Sequence, residues 1–106
     1  MLPGTYQRYV ATVLGNLALF QGELGETEQA QSEIDEAIDI GRILYRADHQ
    51  TNGDALARSL ILGAQLLARS KKGDWARVCS LVHEGVDAAF DPRVKESAKD
   101  LVAKCQ

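Results

Sequence analysis

The apolar positions of this 106-residue chain recur every three or four residues along almost its whole length. That is the period of an amphipathic α-helix. The first run, from Thr5 to Leu24, sets Tyr6, Val10, Val13, Leu17, Phe20 and Leu24 on one stripe, which predicts a helix that buries those residues. Gly25 supplies the left-handed residue that a helix C-terminus prefers. Thr27 is placed to cap a second helix, with Glu28 in its first turn suiting the helix dipole. Its buried stripe is Ala30, Ile34, Ala37, Ile38, Gly41, Leu44 and Tyr45, and Arg42 and Arg46 fall near its C-terminal end, where cations are favoured. The stretch from Asp48 to Gly53 is the one loop that the pattern predicts. Asn52-Gly53 signals a turn, but no strand-like alternation flanks it, which rejects a β-hairpin. A third helix, capped by Thr51 or by Asp54, runs to about Lys72 with Leu56, Leu60, Gly63 and Leu67 on one face. Gly73-Asp74 stops it and starts a fourth, which carries Trp75, Val78, Cys79, Val82, Val86 and Ala89. Asp91-Pro92 is a capping carboxylate followed by proline at the first helical position. The fifth helix gathers Val94, Ala98, Leu101 and Cys105 on one face, and its other face is charged (Arg93, Lys95, Glu96, Lys99, Asp100, Lys104). The expected architecture is all-α: antiparallel hairpins over about 5–47 and 54–90, closed by a capping helix over about 92–105.

Part of this pattern occurs twice. Leu14-Gly15 with Leu19 and Gly25 recurs 48 residues later as Leu62-Gly63 with Leu67 and Gly73, and an acidic residue follows each second glycine (Glu26, Asp74). A helix, a glycine stop and a return helix, used twice, is the sequence form of a helical-repeat protein. From Leu14 to Ala37 the chain resembles a tetratricopeptide repeat. Leu14, Leu17-Ala18, Gly25, Ala30, Ile34 and Ala37 follow that family's order of large, small and turn residues, and Asn16-Leu17-Ala18 is similar to its Asn-Leu-Gly or Asn-Leu-Ala. In the second copy Leu62, Gly73, Val78, Val82 and Gly85 fit, whereas Leu66 stands at the small position and Val78 replaces alanine. The period of 48 exceeds the usual 34, so the resemblance is to the extended repeats of kinesin light chains and of bacterial multidomain regulators. It implies a right-handed superhelix of hairpins that binds a protein or peptide. The implied groove is lined by the first helix of each pair, here Thr12, Asn16, Leu19 and Glu23 with Ala64, Leu67 and Lys71. Members that clamp a terminal carboxylate use Asn with Lys or Arg, and Asn16 matches, with Lys71 or Arg58 as basic partner.

Composition narrows the function classes. The formal charge of −3, from 15 acidic and 12 basic residues, disfavours nucleic acid, which usually selects a basic stripe. No apolar run approaches a membrane span, and the N-terminal residues lack the features of a secretion signal. Cys79 and Cys105 form neither a CxxC motif nor a disulfide framework and read as reduced apolar residues, which makes a cytoplasmic location the expectation. From Glu23 to Asp39 stand seven acidic residues and no Lys or Arg, while Arg69, Lys71, Lys72 and Arg77 form a basic cluster. These are two solvated faces or, on the functional reading, complementary ends that steer a partner.

Catalytic constellations are sparse. His83 and Asp87 stand four apart on a helix, a spacing two metal ligands share, but an exposed pair is the simpler reading. Cys79 lies one turn from His83, yet it falls on the apolar stripe, which favours a core thiol over a nucleophile. Neither a phosphate-binding glycine loop nor a GxSxG elbow occurs. Trp75 reads as a core anchor. The sequence therefore predicts a non-catalytic protein- or peptide-binding module, without metal or cofactor, in the setting of a larger regulatory protein as a scaffold or sensor. A homodimerisation module is the alternative, through Tyr9, Leu14 and Leu19, which lie off the main stripe. A small all-α enzyme or ligand-binding bundle is a third reading, disfavoured by the aliphatic stripes.

Overall fold

The computed structural model describes residues 5–70 and 73–106. Among them are six helices and no strand: α1 (Thr5–Glu23), α2 (Thr27–Ala47), α3 (His49–Arg69), α4 (Trp75–Ala88), α5 (Pro92–Ser97) and α6 (Lys99–Lys104). Each of the first four packs against the next, giving two consecutive hairpins whose inner helices, α2 and α3, also pack together. The core lies along this shared seam, with Ile34, Leu56, Leu60, Val78 and Val82 fully enclosed.

The α2, α3 and α4 stripes fall where periodicity predicts except at Trp75, which is exposed, with Tyr45, Leu67 and Val86 half-buried against the core. Two glycines let the inner helices approach: a Cβ on Gly41 would lie 3.1 Å from Leu56, and one on Gly63 would lie 3.1 Å from Ile38. The first turn closes as a Schellman motif. Gly25 has φ +83°, its N–H donates to the Gly22 carbonyl, and the Glu26 N–H donates to the Gln21 carbonyl.

Five expectations change. Helix α1 is rotated from the predicted orientation: Leu14 and Ala18 face the core, while Tyr6, Val13, Leu17, Phe20 and Leu24 are exposed. The core side of α1 is thus narrow, and most of its large apolar residues are turned outward. The predicted loop over 48–53 is helical. The Asp48 carboxylate accepts from the Thr51 N–H (3.1 Å) and hydroxyl (2.6 Å), which starts α3 at His49 after a single extended residue. Thr27 does not cap α2; the N-cap is Glu26, whose side chain makes no cap bond. The second turn does not copy the first, because Ser70, in an extended conformation, ends α3 and Gly73 has no positive φ. Finally, the capping helix is two short helices. The Ala98 N–H bonds tightly to the Lys95 carbonyl, Ala98 is fully buried, and the bend lets α5 rest on α3 while α6 rests on α4.

Two polar ties and one covalent bond fix the second hairpin to its neighbours. Asp54 Oδ1 accepts from the Phe90 and Asp91 N–H groups (2.7 and 2.9 Å), holding the α4–α5 turn to the start of α3. Arg42 forks onto Glu84 through Nε and Nη2 (2.9 and 2.7 Å), linking α2 to α4. Cys79 and Cys105 are joined in a disulfide that ties α4 to the end of α6. The reading of both cysteines as reduced is thus corrected, and with it goes the ground on which they favoured a reducing compartment. No described helix is long and apolar enough to cross a membrane.

Candidate functional site

Helices α1 and α3 stand side by side above α2 and enclose a groove of about 390 Å³. Helix α1 contributes Arg8, Ala11, Thr12, Gly15, Asn16 and Leu19, which recur at three- and four-residue steps along one flank. Ile34, Ala37, Gly41 and Leu44 of α2 lie beneath as an apolar floor; the first three are buried, and Leu44 is half-buried. The opposite wall is α3, with Thr51, Asn52, Ala55, Arg58, Ser59 and Leu62. The groove thus has an aliphatic base, polar rims and one arginine on each wall. No lining residue is acidic, and among the described residues neither Arg8 nor Arg58 forms an ion pair with a carboxylate.

Asn52 lies at the foot of the α3 wall and is 93% buried. Its Nδ2 donates to the Leu44 and Asp48 carbonyls (2.9 and 3.1 Å), which satisfies the end of α2. Its Oδ1 has no hydrogen-bond partner among the described residues. A buried acceptor without a partner is costly in a folded protein and invites a donor. Close by, hydrogen bonds from the Thr51 hydroxyl and N–H hold the Asp48 carboxyl below the usual carboxylate range, so the α3 cap stays charged at neutral pH.

Of the residues expected to line the groove, Thr12, Asn16 and Leu19 do so, as does the alternative basic partner Arg58. Glu23 is exposed beyond the end of the groove, and Leu67 is half-buried outside it. Ala64 is fully buried on the core side of α3 and is corrected to a packing residue. Lys71 lies outside the described residues. Arg8 was missed by sequence reasoning, although it is one turn before Thr12 on the same flank. The three residues expected to mediate self-association are on different surfaces: Leu14 packs against the core, Leu19 lines the groove, and Tyr9 is exposed on the outer side of α1.

The alternative chemistries find little to build on. Cys79 is in a disulfide and is no nucleophile, and His83 and Asp87 are exposed on α4. His49 stacks on Tyr45 with ring centroids 4.2 Å apart. Trp75 is 44% exposed at the first residue of α4, so it does not anchor the core. The acidic and basic clusters are not separate ends, since Arg77 of the basic cluster reaches Asp35 of the acidic one (3.6 Å). No group of three or more His, Cys, Asp or Glu among the described residues is arranged to hold a metal ion. No protein-family model, curated protein or solved structure matches the chain.

Proposed function

We propose that this chain is a non-catalytic peptide-binding module, a tetratricopeptide-like pair of hairpins in a right-handed arrangement, acting as a scaffold or sensor within a regulatory assembly. The observation that carries the reading is the groove between α1 and α3, with an arginine on each wall, no acidic lining residue and an apolar floor. Such a groove suits an extended acidic segment. Its side-chain or terminal carboxylates would meet Arg8 and Arg58, and its apolar residues would cover Leu19, Leu44 and Leu62. Asn16 and Thr12 add neutral hydrogen-bonding groups on the α1 wall. The Cys79–Cys105 bond removes the cysteine ground for a cytoplasmic location, since such bonds persist mainly in oxidising compartments.

Fluorescence anisotropy with labelled octapeptides tests it. Peptides with three carboxylates in their C-terminal half should bind at least tenfold more tightly than versions with lysine at those positions. Arg8→Ala and Arg58→Ala should each weaken the acidic set by about tenfold, the scale of one charge-assisted hydrogen bond. Equal binding of acidic and basic peptides, or no binding of either, would overturn the proposal.

A further inference from the structure

Helix α1 has three faces. One packs on the core through Leu14 and Ala18, and a second forms a wall of the groove. The third turns away from both and carries Tyr6, Tyr9, Val13, Leu17 and Phe20, with Leu24 in the turn after it. These six side chains are between 39% and 69% exposed. At about 150–200 Å² for a side chain of this size, they leave on the order of 600 Å² of apolar surface. That is the upper end of what a soluble monomer tolerates in one patch. It also approaches the roughly 800 Å² that each partner contributes to a standard interface.

The order of residues adds direction. With half-buried Val10 taken at the edge of the strip and Tyr9 left beside it, positions 6, 10, 13, 17, 20 and 24 alternate steps of four and three, a series that reads the same from either end about residue 15. We propose that two copies of this chain pair through the outer strip of α1, antiparallel, about a twofold axis near Gly15. In that register Tyr6 meets Leu24 of the other copy, Val10 meets Phe20, and Val13 meets Leu17. Each pair recurs by symmetry, giving six layers of the kind that joins antiparallel helices. Every aromatic layer then sets a ring against an aliphatic side chain.

Charge selects the same direction. Glu23 and Glu26 stand at and just beyond the C-terminus of α1. Antiparallel pairing opposes the helix dipoles and keeps the two Glu23 apart; parallel pairing would bring them together. The strip and the groove occupy different flanks of α1, so the dimer keeps two open grooves and engages a bivalent partner with avidity.

Light scattering over a concentration series reads the proposal directly. The chain should approach twice its 11.6 kDa mass as concentration rises, and Val13→Glu with Phe20→Glu should hold it at 11.6 kDa with unchanged helical circular dichroism. Direction is read by disulfide trapping: an equal mixture of Tyr6→Cys and Leu24→Cys chains should yield the crossed dimer, and neither chain alone should crosslink. A concentration-independent monomer, a dimer that survives the double glutamate variant, or crosslinking of either cysteine chain with itself would overturn it. Because Arg8→Ala and Arg58→Ala leave the strip untouched, loss of peptide binding and loss of the dimer are separable results.

Discussion

At the scale of single residues, the fold depends on positions whose role is decided by what comes near them. Gly53 follows asparagine and carries a turn signal in the sequence, yet it lies inside α3 because the α4–α5 turn presses on it. An added Cβ would collide with the Ala88 carbonyl and lie 2.8 Å from the Phe90 ring. Gly15, also helical, has nothing within 4 Å of its Cβ position. Gly53→Ala should therefore lower stability by about 1–3 kcal/mol, while Gly15→Ala should raise it by up to about 1 kcal/mol through helix propensity. Thermal unfolding of the two variants checks this, and a similar shift for both would refute the packing argument. Asp48 and Asp91 cap α3 and α5, and hydrogen bonds from Thr51 and from Arg93, respectively, hold both carboxyls below their ordinary value of 3.8. A carboxyl whose folded pKa is depressed contributes stability that is fully present above its unfolded value and is lost as pH falls through the folded one. Unfolding temperature should accordingly show no loss from these caps between pH 7 and about 5, and fall below about 4. In Asp48→Asn, that acid-side loss should be smaller. These contributions are invisible to periodicity, although Asp48 and Asp91 are recognisable cap residues in the sequence.

At the scale of elements, α2, α3 and α4 were legible because one face of each holds nearly all of its apolar side chains. Helix α1 was not. Its largest apolar residues lie on the outer strip, and its core side is built from Ala18 and Leu14, so a reading weighted by size selects the wrong face. The break at Ala98 was equally hidden, since no Pro or Gly marks it. It arises from tertiary docking, with α5 drawn to α3 and α6 to α4. The pairing of Cys79 with Cys105 across 26 residues follows from the same docking and has no local signature. By closing that loop the bond constrains the unfolded chain and should contribute about 3 kcal/mol. Cys79→Ser with Cys105→Ser should lower the unfolding free energy by that amount in a denaturant titration while leaving peptide affinity unchanged, because neither cysteine borders the groove. A double variant as stable as the parent would show that the bond contributes nothing to the folded chain.

At the scale of the whole molecule, the two surfaces of α1 carry the two proposals: a groove for a peptide and an outer strip for a second copy. The groove was partly legible, since Thr12, Asn16 and Leu19 share one helical flank. Its basic character was not, because Arg8 and Arg58 come from helices some 50 residues apart in the chain. The central claim is that ligand binding belongs to this groove, and backbone amide chemical shifts report on that residue by residue. Titrating the ¹⁵N-labelled chain with an acidic octapeptide should move the amides of residues 8–19 on α1 and 51–62 on α3, with those of α4 to α6 unaffected. Shifts confined to α4 to α6, or no shifts at millimolar peptide, would contradict the account.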